Sequence, residues 1–132
     1  MILTWGYGNR SVDDLRRIVE EQGIARVVDV RRSRRTGNPR VRVNELEGIR
    51  GYLWWSFLGN TKGVPEGTWQ PASEQGAHRG LVMLSTHLRA GRKVLLMCAE
   101  ADHQRCHRTE VARRLAAMVG AETGRMPSII HL

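Results

Sequence analysis

Two cysteines, two histidines, two carboxylates and two arginines crowd one short segment, Cys98-Ala-Glu-Ala-Asp-His-Gln-Arg-Cys-His-Arg108. A thiolate is a strong nucleophile, and an imidazole beside it can take and return a proton. A cysteine at the start of a helix and next to His or Arg has its thiol pKa pulled down, because the helix dipole and the cations favour the anion. Arg105 and Arg108 could also hold an oxyanion through charge-assisted hydrogen bonds. Cys106, His107, Cys98 and Glu100 are therefore the candidate catalytic residues. Cys98 has a second reading as buried strand filling, which is common for free cysteine. Cys106 has one as packing beneath its loop.

Metal binding competes for the same side chains. Cys98, His103, Cys106 and His107 are soft ligands, but they lack the paired spacing that zinc sites show, so no metal and no other cofactor is expected. A disulfide between the two cysteines is possible, although a reduced, cytoplasmic setting is the default for so few cysteines.

Two other segments carry polar residues where chemistry could use them. Asp29-Val-Arg31 puts a carboxylate inside an apolar run, which is costly unless it is paired. That Asp either orients a ligand or a catalytic histidine, or it forms a buried ion pair. Tyr7, Asn9 and Ser11 follow a glycine-punctuated strand end. Arg31, Arg108, Asp29, Tyr7, Asn9 and Ser11 are the candidate anion-binding residues. The basic stretch from Arg31 to Arg42 either tracks a phosphate backbone or is a solvated loop. Trp69 is a candidate ligand platform, whereas Trp54, Trp55 and Phe57 read first as core. His131 could return to the edge of the site.

The elements that must position these residues follow from hydrophobic period and punctuation. Ile2 to Gly6 reads as a strand. Ser11 caps a helix whose apolar positions are Val12, Leu15, Ile18 and Val19, closed by Gly23. Arg26 to Arg31 is a β-branched strand. A short helix is expected around Asn44 to Ile49, a strand over Tyr52 to Leu58 and a long loop over Gly59 to Gly76. His78 to Ala90 reads as a helix with Leu81, Val82, Leu84, Ser85 and Leu88 inward. Lys93 to Cys98 is the clearest strand. A helix with Val111, Leu115, Met118 and Val119 inward follows, then a last strand over Ser128 to Leu132. Alternating strands and helices predict an α/β fold in a single domain. Its mostly parallel sheet is covered on both faces, in the three-layer manner of Rossmann-like proteins. In such a sheet, ligands bind beyond the carboxyl ends of the strands, where all three candidate segments would meet.

The 132 residues are enough to bury a core without staples. The longest apolar run, Val94 to Ala99, is too short to span a bilayer, and the N-terminus lacks the pattern of a signal peptide. The net charge of +8, mostly arginine, favours anionic partners: a phosphate-containing small molecule or nucleic acid. Oligomeric state is not encoded in any of these features.

The same residues resemble a known family, domain of unknown function 488. Thr4-Trp-Gly-Tyr-Gly-Asn-Arg-Ser11 resembles its T-x-G-x-x-x-x-S opening, and Val28-Asp-Val-Arg31 its V-D-V-R strand end. Tyr52 with Leu58-Gly59 is similar to its Y…L-G-G stretch. Leu96-Met-Cys-Ala-Glu100 with Cys106-His-Arg108 is similar to its L-x-C-A-E…C-H-R motif, and Ile130-His131 to its closing V-x-H-I. Two departures stand near the presumed cleft: Arg34-Arg-Thr36 where the family has P-x-S, and Asn60 for its second glycine. The resemblance implies a fold and a site, and no reaction. The leading expectation is a small enzyme acting on an anionic substrate at Cys106-His107-Arg108. A nucleic-acid-binding module using the basic stretch and Trp69 is the alternative. Rhodanese- or phosphatase-like thiol chemistry is a third reading, although the tight cysteine-centred loop of those proteins is absent.

Overall fold

The computed structural model describes residues 1–35 and 37–132. Thr36, part of the Arg34-Arg-Thr36 departure, lies outside the described residues. Five strands form one parallel sheet: β1 (Ile2–Gly6), β2 (Ile24–Asp29), β3 (Tyr52–Trp54), β4 (Lys93–Cys98) and β5 (Ile129–His131). They lie in the order β3-β2-β4-β1-β5. Four helices join them: α1 (Val12–Gln22), α2 (Val43–Glu47), α3 (Glu74–Arg89) and α4 (Arg108–Thr123). None of these is long and apolar enough to cross a membrane.

Side chains alternate across a strand, and here that alternation divides the core in two. Ile2, Val94, Leu96 and Cys98 face α3 and α4, packing on Leu81, Leu84, Val111 and Leu115. Leu3, Trp5, Leu95 and Met97 face the other way and pack on Val12, Leu15 and Leu46 of α1 and α2. Parallel strands buried on both faces need continuous apolar runs, which β1 and β4 have.

Chain order explains where a ligand could enter. From β1 the chain moves through α1 to β2 and then to the β3 edge, and afterwards returns through α3 to β4 and through α4 to β5. The helices that follow β1 and β2 thus lie on one face, and the helix that follows β4, the strand between them, lies on the other. In sheets of this kind, ligands bind beyond the carboxyl ends where adjacent connections diverge in this way.

The element boundaries differ from the sequence expectation in instructive places. The expected strand over Arg26 to Arg31 starts and ends earlier, at Ile24 and Asp29. The expected strand to Leu58 stops at Trp54, because β3 is an edge strand paired only with Val27, Val28 and Asp29. Ser56–Leu58 then form a turn of 3-10 helix that drops Leu58 into the core. Trp54 and Phe57, read as core, are 38% and 39% exposed, while Trp55 is half-buried and stacks on Phe57. Helix α3 begins at Glu74, before His78, because the Ser73 hydroxyl accepts the Gly76 N–H. Its buried face includes Ala77 and Gly80, and Val82 is exposed.

Candidate functional site

The ends of β1, β4 and β2 are joined beyond the strands themselves. The Tyr7 N–H donates to the Cys98 carbonyl (3.0 Å), the Gly8 N–H to the Ala99 carbonyl (2.9 Å) and the Val30 N–H to the Met97 carbonyl (3.0 Å). Gly6 sits opposite Cys98 in register. A Cβ at Gly6 would overlap the Glu100 carbonyl and come within 2.9 Å of Arg108 Nη1. Glycine is therefore required where β1 meets the Cys98–Arg108 loop, since only a bare backbone leaves that space.

Arg108, the first residue of α4, is fully buried beneath this loop. Its Nη1 donates to Cys98 Sγ (3.1 Å) and to the Glu100 carbonyl (2.5 Å), and its Nη2 donates to the Ala101 carbonyl (3.2 Å). Its Nε is buried with no hydrogen-bond partner. No carboxylate among the described residues forms an ion pair with it. Burial pulls its pKa down to about 10, against a weaker opposing influence of Glu100. An interior cation without an anion costs several kcal/mol. Of its hydrogen-bond partners, the one that can become anionic is the Cys98 sulfur, in the reduced protein.

The two sulfurs meet: Cys98 and Cys106 are in direct sulfur–sulfur contact across the loop, eight positions apart in sequence, with their Cα atoms 7.6 Å apart. The disulfide that the sequence leaves possible is thus within reach once the backbone closes slightly. Both residues are buried, as their packing readings required. His107 stands beside Cys106, with Nδ1 4.0 Å from the sulfur. Its Nε2 lies 2.7 Å from the Val30 carbonyl, which can only accept, so Nε2 carries the hydrogen and Nδ1 holds the lone pair. Burial lowers the His107 pKa, against the opposing influence of the Val30 and Leu58 carbonyls, and Nδ1 faces the sulfur of Cys106. That arrangement can remove a proton from Cys106 in the reduced protein. His107 is also the N-cap residue of α4 and gives its first turn no side-chain cap.

Glu100 is occupied locally: its Oε1 accepts the Asp102 N–H (3.1 Å). Asp102 in turn accepts the Gln104 N–H (3.0 Å), starting the 3-10 turn His103–Arg105. Arg105 points outward to Glu66, to which it donates from Nε and Nη2.

Asp29 and Arg31 form the buried ion pair that was one of the two readings. Asp29 is wholly buried and Arg31 nearly so. Arg31 donates from Nε (2.8 Å) and Nη2 (2.7 Å) to the two carboxylate oxygens, a bidentate arrangement. The Tyr52 hydroxyl donates to the same carboxylate at 2.6 Å. Burial, with the Asp29 charge beside it, pushes the Tyr52 hydroxyl above its ordinary range, so it stays a donor. Arg31 also lies over the Tyr7 ring, 5.4 Å from its centroid. Tyr52 was quoted in the sequence only as part of a motif. Its role depends on β3 lying next to β2, which spacing alone does not reveal.

Of the remaining candidates, Ser11 forms a capping box with Asp14 at the start of α1. Asn9 lines a cavity of about 370 Å³ with Tyr7, Gly8, Asn38 and Arg40, beside the joined strand ends. His131 does return to this edge. It lies beside Thr4, whose Oγ1 is 2.6 Å from its Nδ1, and its ring stacks on His103 at 3.6 Å between centroids. Trp69 is no platform: it is 3% exposed, packed in the core on the α3 and α4 side, with Arg114 over its ring. A larger cavity, about 920 Å³, is elsewhere, at the amino-terminal edge of the sheet around Arg26, Arg50 and Arg92. Among the described residues no group of three or more His, Cys, Asp or Glu is placed to hold a metal ion.

The family model for domain of unknown function DUF488 matches residues 11–115, most of the 132-residue chain. The chain belongs to the DUF488 family. The matched region contains both buried arginines, both cysteines and His107, and the structure gives its motifs physical roles. In Leu58-Gly59 the leucine fills the core, and a Cβ on the glycine would crowd the Arg32 backbone to 2.6 Å. The loop departing from P-x-S is anchored by Arg34, which pairs with Glu47 and lies over Trp54. No curated protein and no solved structure matches the chain.

Proposed function

We propose that this DUF488 protein is a thiol-dependent enzyme for an anionic substrate, with the crevice at the ends of β1, β4 and β2 as its active site. The observation that carries this reading is Arg108: a buried guanidinium in no ion pair with a carboxylate among the described residues, donating to Cys98 Sγ at 3.1 Å. In the reduced protein its counter-ion is the Cys98 thiolate. Cys106 is the second thiol, and His107 Nδ1 takes its proton. Asp29 and Arg31 neutralise each other and brace the wall, so the substrate anion is left to Asn9 and Arg40 in the cavity beside the end of β1. Arg32, Arg35, Arg40 and Arg42 draw it in, since none of them pairs with a carboxylate among the described residues. The nucleic-acid reading loses its aromatic platform with the burial of Trp69 and rests on the basic loop alone.

Alkylation of the reduced protein by iodoacetamide and by iodoacetate tests the proposal, because the second reagent carries the negative charge of the expected substrate. The expected result is a pH profile with its midpoint below the ordinary cysteine value of about 8.5, and a rate ratio favouring iodoacetate over that of free cysteine. A midpoint at or above that value with no preference for iodoacetate would overturn it.

A further inference from the structure

The site holds two thiol-bearing residues, and each has its own activator. Cys98 lies against the Arg108 guanidinium, which stabilises an anion on its sulfur. Cys106 faces Nδ1 of His107, whose Nε2 is committed to the Val30 carbonyl. A single nucleophile needs only one of these arrangements. The two sulfurs are also in direct contact with each other. Structural disulfides need neither a base nor an unpaired buried cation beside them, whereas a dithiol that cycles needs both a thiolate to attack and a second one to displace.

We infer that Cys98 and Cys106 form a redox-active couple that exchanges electrons with a low-molecular-weight disulfide. This inference rests on the thiol reading above and names its chemistry. Cys106 attacks first, because His107 Nδ1 stands beside it to take its proton, while Cys98 is held against Arg108. His107 Nδ1 takes the Cys106 proton, and the thiolate attacks one sulfur of the disulfide RSSR. The S–S bond breaks, a Cys106–SR mixed disulfide forms, and the leaving RS⁻ takes the proton from His107. The Cys98 thiolate, held by Arg108, then attacks Cys106 Sγ. The Cys98–Cys106 bond forms, and the second RS⁻ leaves and is protonated by water. The protein has lost two electrons and the small disulfide has become two thiols. The reverse sequence reduces the protein at the expense of a thiol pool.

The test is equilibration of the fully reduced chain with oxidised glutathione, followed by thiol counting and intact mass. The expected product is a chain that has lost both thiols together and two hydrogens in mass, with no lasting glutathione adduct. Cys98→Ser is expected to accumulate the mixed disulfide on Cys106, and Cys106→Ser to react slowly because Cys98 is held against Arg108 beneath the loop. His107→Gln slows formation of the adduct by about a hundredfold near pH 7, the lower end for a lost general base. Thiols lost one at a time in the wild-type chain, or an adduct that persists in it, would overturn the inference whether or not the variants fold. The thiol reading is judged separately by alkylation. A lowered thiol midpoint without intramolecular oxidation ends the redox inference and leaves the enzyme reading standing, whereas an ordinary midpoint ends both.

Discussion

Arg31 and Arg108 are both buried guanidiniums at the same edge of the sheet, and their surroundings differ in one respect. Arg31 has a carboxylate on two of its nitrogens, while Arg108 has a sulfur and two carbonyls. The first is a closed structural pair, and breaking it leaves a charge buried with nothing opposite. Asp29→Ala is therefore expected to cost about 3–5 kcal/mol in urea unfolding, the range for removing one member of a buried pair. The Tyr52 hydroxyl loses its acceptor in the same variant. A loss below about 1 kcal/mol would show that water reaches Arg31. The sequence announced Asp29-Val-Arg31 and Cys106-His-Arg108 as unusual because charged or reactive groups interrupt apolar runs. It could not say which arginine was neutralised, since Tyr52 reaches Asp29 across 23 positions and Arg108 reaches Cys98 across ten.

At the scale of elements, the site depends on how closely the loop of residues 99–107 rests on the end of β1. Gly6→Ala places a methyl group against the Glu100 carbonyl, so the loop must lift. Overpacking of this kind costs about 1–3 kcal/mol. The variant is expected to combine that loss with faster alkylation of the reduced cysteines, because the lifted loop uncovers them. Lower stability without faster alkylation would place the damage elsewhere in β1. Ser11→Ala is a milder change, expected to cost about 1 kcal/mol for the lost cap and to leave thiol reactivity unchanged. That cap was legible locally, as were β1, β4 and the stripes of α1 and α4. The 3-10 turn at Ser56–Leu58 was not, because an aromatic run looks like a strand until its pairing partner ends. Gly6 was equally silent, since its constraint comes from a loop more than ninety positions away in sequence.

For the molecule as a whole, three half-buried histidines tie stability to pH. Burial lowers the pKa of His87, His107 and His131; nearby Arg26 and Arg92 add to it for His87, and His103, Arg108 and Arg113 for His131. The unfolded chain takes up protons on these rings near pH 6.5, where the folded chain does not. Stability is thus full above that pH and falls as pH drops through it towards the lowered folded values. Urea unfolding is expected to show lower stability at pH 5.5 than at pH 7.5, and His107→Gln is expected to narrow the difference. An unchanged difference in that variant would remove His107 from the explanation. The layered α/β architecture followed from the alternation of strands and helices. The strand order did not, although it decides which loops meet.

The claim on which the functional reading depends is that Arg108 holds Cys98 as a thiolate. The direct measurement is ultraviolet thiolate absorbance against pH in the reduced Cys106→Ser protein, where Cys98 is the remaining cysteine, with and without Arg108→Met. The expected midpoint lies below the ordinary value of about 8.5 and rises when Arg108 becomes Met. A midpoint at or above that value, unmoved by Arg108→Met, would contradict it.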